Sequence, residues 1–176
     1  MTVTTGSALL DHPRPTVPLR HFGISLGHLT EGSAEAWIRS LRLPEVAQAC
    51  THRAEFPFPH VAVSVALPLG VGLPAETAGS AFLEAAMAAG AAHATGRSGR
   101  ALHFRGASAF SRPVTVHKIL SNTDVVRVTA GTADARPGDV LDCGRGLTPH
   151  WVDGELTVRT GRRLDGVLVP LPGFRR

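Results

Sequence analysis

Tyrosine is absent from this 176-residue chain, and phenylalanine and tryptophan together make up only 5% of it. The few rings do not interleave with basic residues, so the stacking platform of single-stranded nucleic-acid binders is missing. Lysine is scarce as well. Of 18 basic residues Lys118 is the one lysine, and the arginines are spread along the chain with no run longer than the pairs Arg162, Arg163 and Arg175, Arg176. The net charge of +4 and the pI near 10.4 therefore read as a solvated arginine-rich surface, not as the footprint of a nucleic-acid binder. The two cysteines, Cys50 and Cys143, lie far apart without CxxC or Cys/His spacing, which excludes a disulfide framework and a zinc site. No segment supplies about 18 uninterrupted apolar residues for a membrane span, and MTVTTGSALLDHPRPT lacks the basic start and apolar core of a signal peptide. A soluble, cytoplasmic protein is expected. GxSxG, a Walker loop and a strand-linked GxGxxG are all missing, so nucleotide-dependent chemistry is not indicated and no cofactor is expected.

What is present fits one domain with a real core. Residues 1–20, with Pro13, Pro15 and Pro18, read as a loose arm, and 21–176 as a single domain. The pattern predicts a strand over 21–29 and a helix from Ser33 to Cys50. In that helix Ala34, Trp37, Ile38 and Leu41 recur at helical spacing, Ser33 serves as N-cap and Pro44 is a break. HVAVSVALPL, 60–69, reads as a buried strand. After Gly96 the pattern is strand-like at 101–104, 112–120, 124–131, 154–161 and 165–171, with Pro-Gly-Asp and Asp-Gly turns between. The fold class expected is α+β, with a helix to be covered by an antiparallel sheet.

That helix is PAETAGSAFLEAAMAAGAAHATG, 74–96. Pro74 and Glu76 suit its first turn, and the following residues leave no polar face, as in a helix surrounded by protein. Glu84 then sits two turns inside. Either Glu84 points through a gap to solvent or pairs with an arginine, or it is unpaired and takes a raised pKa, as a general acid or base at neutral pH requires.

FLEAAMAAG at 82–90, HFRGASAFSRPV at 103–114 and WVDGELTV at 151–158 together resemble, in order, segments of the hot-dog fold. The nearest likeness is to the FabZ-like hydroxyacyl-carrier-protein dehydratases and their thioesterase relatives. The resemblance implies a hot-dog-like antiparallel sheet wrapped around the central helix, here with an extra N-terminal helix. It also implies a homodimer with sites at the interface and an acyl substrate carried on coenzyme A or a carrier protein. Glu84 becomes the catalytic carboxylate, with His60 or His52 from THRAEFPFPH as second groups. The dehydratase histidine has no counterpart in LPLGVGLPAETAG; thioester hydrolysis by a helix carboxylate depends on it less. The alternative function is a non-catalytic small-molecule or acyl-binding module of the same fold.

Other residues carry less. The nine histidines include no HxH or HxxxH pair, so no metal site is expected. His103 and His117 fall on expected strands flanking the helix, where either can face its carboxylate. Cys143, beside arginines in DCGRG, is a conceivable nucleophile without an assigned base.

Overall fold

A computed structural model describes residues 17–73, 81–144 and 146–171. The elements run β1 (Leu19–His28), α1 (Glu31–Ser40), β2 (Gln48–Ala54), β3 (His60–Pro68), α2 (Leu83–Ala94), β4 (Arg100–His103) and β5 (Val114–Thr115). Then follow α3 (Val116–Asn122), β6 (Arg127–Ala130), β7 (Ala133–Asp134), β8 (Val140–Leu141), β9 (His150–Val152), β10 (Glu155–Arg162) and β11 (Leu168–Pro170). The strands form one open sheet in the order β1-β3-β2-β4-β9-β10-β11-β8-β5, with β6 paired to β10 and β7 to β6. All pairings are antiparallel except β6 with β10 and β8 with β11. The class is therefore α+β. No helix among the described residues is long and apolar enough to cross a membrane.

Alternation in the first four strands sorts two faces. On β3, Val61, Val63, Val65 and Leu67 point to one side, where they form a core with Ile24 of β1 and Ala34, Ile38 and Leu41 from α1 and its end. Their neighbours His60, Ala62, Ser64 and Ala66 point to the other side, under α2. Ser64 lies between Gly23 of β1 and Cys50 of β2. A second core joins Val116 and Ile119 of α3 to Phe104, Val125, Leu141, Leu156, Val158 and Leu168.

The small residues of α2 permit backbone contact with β1. A Cβ on Gly23 would lie 1.6 Å from the Ala86 carbonyl oxygen and 2.9 Å from the Gly90 nitrogen. The helix start is tied to the same strand, because the Ser25 carbonyl accepts from the N–H groups of Ala81 (2.9 Å) and Phe82 (3.3 Å).

Several expectations are corrected. Only the first part of the helix expected over Ser33–Cys50 forms: α1 ends at Ser40, and after Pro44 the chain becomes β2. Its cap is Thr30, whose Oγ1 accepts from the Ser33 N–H at 3.2 Å. The strand expected over 112–120 is β5 followed at once by α3, since Val116 and Ile119, three apart, both turn into the second core. β1 begins at Leu19, inside the expected arm; 1–16 lie outside the described residues, as does the stretch 74–80 expected to open the central helix. Nor is α2 enclosed all round among the described residues. Ala86, Ala89, Ala92 and His93 are buried, while Leu83 and Met87 are each 66% exposed. Glu84 is therefore not two turns inside apolar surroundings: it is exposed, in the first turn of α2.

Candidate functional site

Polar side chains collect where α2 meets the sheet. His93, near the end of α2, is buried, and its Nδ1 lies 2.9 Å from Ser64 Oγ. Ser64 Oγ is in turn 2.7 Å from His52 Nε2. On its other side His93 Nε2 lies 3.3 Å from Gln48 Oε1 and 3.7 Å from Cys50 Sγ. Gln48 Nε2 reaches Asp124 Oδ2 at 3.4 Å, and Asp124 also accepts from Arg105, at 3.1 Å from its backbone N–H and 3.0 Å from Nε.

The carboxylate at the end sets the direction of this chain. Asp124 only accepts, so Gln48 turns its amide nitrogen to it and its oxygen to His93. His93 then carries its proton on Nε2 and accepts at Nδ1 from the Ser64 hydroxyl, whose oxygen takes the N–H of His52. The relay runs one way, from His52 through Ser64, His93 and Gln48 to Asp124. It spends both nitrogens of His93.

Burial keeps these groups uncharged. It pulls His52 down to about 4, and with lesser repulsion from His21 and His52 it pulls His93 down to about 3. Burial pushes the Cys50 thiol up to about 12, against weaker opposing pulls from Trp151 and Ser64. Cys50 is thus a thiol at neutral pH. Cys143 is too: burial foremost, then Asp142, raise it to about 11, opposite to the lowering expected from neighbouring arginines.

A cleft of about 370 Å³ opens over this relay, lined among others by Leu19 and His21 of β1, Gln48, His93, Thr95 and Trp151 of β9. The His21 and His93 rings meet edge to face at 4.8 Å, and Trp151 lies 5.9 Å from His93. The Trp151 indole N–H is buried beside Cys50 without an oxygen or nitrogen partner.

A second pair sits nearer the start of α2. His60 Nδ1 is 2.8 Å from the Phe58 carbonyl, which only accepts, so His60 Nε2 takes the Ser25 hydroxyl proton at 2.9 Å. Both side chains are buried, and Phe82 packs at 4.9 Å from His60 and 5.3 Å from Phe58.

The expected site residues are thus distributed. His52 joins the relay on β2, His60 the pair on β3, and Glu84 hydrogen-bonds neither. His117 is exposed on α3, not on a strand, and His103 Nε2 is spent on the Pro44 carbonyl at 2.9 Å. Sequence reasoning missed Ser64, Gln48, His93, Ser25 and Trp151 as partners. A signal was available in the alternation of Gln48, Cys50, His52 and of His60, Ala62, Ser64, which puts these residues on the face opposite the valines. Among the described residues no group of three or more His, Cys, Asp or Glu is placed to hold a metal ion. No family model, no curated protein and no solved structure matches the chain.

Proposed function

We propose that this chain is a small-molecule-binding module that holds its ligand in the cleft at the end of α2 without turning it over. The observation that carries this reading is the one-way relay whose Gln48 and His93 line the cleft, with its histidines held neutral and both His93 nitrogens committed. A general base works best with a pKa near the working pH, and a cysteine nucleophile works as thiolate; neither condition is met here. Such a floor is pre-formed and chemically quiet. The test is a thermal-shift screen with a small-molecule library, followed by mass spectrometry of each compound. A ligand at about a hundred times its Kd contributes about 2.7 kcal/mol, so a rise in Tm of roughly 5–10 °C with the ligand recovered unchanged is expected. Conversion of the bound compound overturns the reading.

A second reading, favoured by the Ser25–His60 pair, is an acyl-thioester hydrolase or dehydratase acting on a coenzyme A or carrier-protein substrate. A serine hydroxyl donating to an imidazole whose other N–H is anchored has the polarity of an activated nucleophile. Glu84, two residues beyond Phe82, belongs to this reading as its acid or base group, whereas His52, held neutral and bonded to Ser64, does not. The exposed Leu83 and Met87 beside Glu84 suit coverage by a second copy, as the homodimer of that reading requires. Thiol release from a panel of acyl thioesters, with mass spectrometry for gain or loss of water, is the measurement. Turnover that falls by about two orders of magnitude in Glu84→Gln supports it. That variant, altering an exposed first-turn residue, should shift stability by less than about 1 kcal/mol. Thioesters left intact dismiss this reading.

A further inference from the structure

We infer that the cleft over His93 takes a neutral, planar heteroaromatic molecule with a hydrogen-bonding edge, stacked on Trp151 and selected by His21; this rests on the small-molecule-binding reading above.

Charge is the first argument. Among the described residues no Asp, Glu, Lys or Arg side chain lines the cleft, and burial holds both lining histidines, His21 and His93, below their ordinary range. An anionic or cationic ligand entering here gives up hydration and meets no opposite charge. Phosphates, carboxylates and ammonium groups are therefore disfavoured.

Shape is the second. The walls carry an indole and two imidazoles, with ring centroids 4.8 Å apart for His21 and His93 and 5.9 Å for His93 and Trp151. A planar ring gains from such partners beyond the area it buries. A flexible chain of equal size spends more rotamer entropy on the same contact. The volume of about 370 Å³ lies at the small end of ligand pockets, roughly 300–1,000 Å³, and suits one or two fused rings.

The polar edge is the third. Gln48 is spent at both ends of its amide, and His93 at both ring nitrogens. The His21 ring makes no hydrogen bond among the described residues, which leaves a ring nitrogen to pair with a ligand in the cleft that it lines. A ligand edge with one donor or one acceptor can pair with the ring nitrogen that faces it.

The absence of tyrosine makes the measurement direct, because Trp37 and Trp151 are the only tryptophans. Trp37 lies on α1 and packs on His28 at 5.7 Å. In full-length Trp37→Phe, Trp151 is then the sole reporter. Indazole and adenine serve as neutral heteroaromatic probes, octanamide as an edge without a ring, naphthalene as a ring without an edge, and indazole-3-carboxylate as a charged ring. The expected result is saturable change of Trp151 emission with indazole or adenine, at least tenfold tighter than with the other three. His21→Phe, which keeps a ring and removes the edge, should weaken indazole about tenfold and leave naphthalene unchanged, with an unaltered Tm. Tightest binding by octanamide or the carboxylate, or an indifferent His21→Phe, overturns the ligand class and leaves the binding reading standing. If neither these probes nor the wider library bind, the binding reading falls and this inference with it.

Discussion

Between pH 7 and pH 4.5 the protein is expected to lose roughly 5 kcal/mol of stability through His52 and His93 alone. In the folded state these groups titrate at about 4 and about 3; in the unfolded chain they return to about 6.5. Above pH 6.5 both states hold them neutral, and nothing is lost. As the pH falls toward 4.5 the unfolded chain takes up two protons that the native relay refuses, and below about 3 both states are protonated and the loss levels off. The groups facing His93 are His21 from β1, Gln48, Cys50 and His52 from β2, Ser64 from β3 and Trp151 from β9. None is an acid, so no partner offsets the charge. His21, His28 and His150 are lowered foremost by burial and add in the same direction. Urea unfolding from pH 7 to 4.5 should show a slope approaching about 2.7 kcal/mol per pH unit, the value for two protons. His52→Gln, which retains an N–H for Ser64, should remove about one proton from that slope. Stability that stays flat over this range would sink the account of a buried neutral relay.

The other large effect is steric. Gly23→Ala should destabilise the fold by at least about 4 kcal/mol and lower Tm by on the order of 10 °C. The added carbon would sit 1.6 Å from the Ala86 carbonyl oxygen. No side-chain rotation relieves a contact with backbone, so α2 must lift from β1 and give up the burial of Ala86, Ala89 and His93. Gly138→Ala is the control: a Cβ there meets nothing within 4 Å, and the change should stay within about 0.5 kcal/mol. A cost below 1 kcal/mol for Gly23→Ala, by urea midpoint, would show that helix and strand are not in backbone contact.

Gly23, Gly90 and the alanines of α2 show why the sequence was legible only in part. Local signals served well where one face decides the element. The valines of HVAVSVALPL and the apolar alternation near 155–162 became β3 and β10. They misled where two periods compete. RPVTVHKIL alternates like a strand over its first residues, yet Val116 and Ile119 also match a helical turn, and the second core took that option. In α2 the absence of a polar face was read as burial on every side. Alanine and glycine instead permit close approach on one side, while Leu83 and Met87 stand out on the other, carrying Glu84 with them. The relay was illegible for another reason. Its bonded members lie up to 76 residues apart, between Gln48 and Asp124, and nothing in a local window records which strands pair. Single alternating polar residues at 48, 52 and 64 acquire meaning only once β2 and β3 lie side by side.

The pairing of β4 with β9 rests on one matched pair, Arg100 and His150, aided by backbone bonds of 2.9 Å from Ala101 to Pro149 and from Trp151 to Gly99. The second core draws on β2 and β4 only through Cys50 and Ala101. A sheet carries shear through its inter-strand bonds, so a seam with so few of them is more compliant than the long β1–β3 and β2–β3 ladders beside it, and the parts on either side act as stiffer plates. The cleft straddles it: His21, Gln48 and His93 belong to one plate, Trp151 and Gly154 to the other. On the proposed binding reading, an occupant would act as a wedge across a joint, and by reciprocity any load that opens the joint would weaken the grip on it by the same free energy.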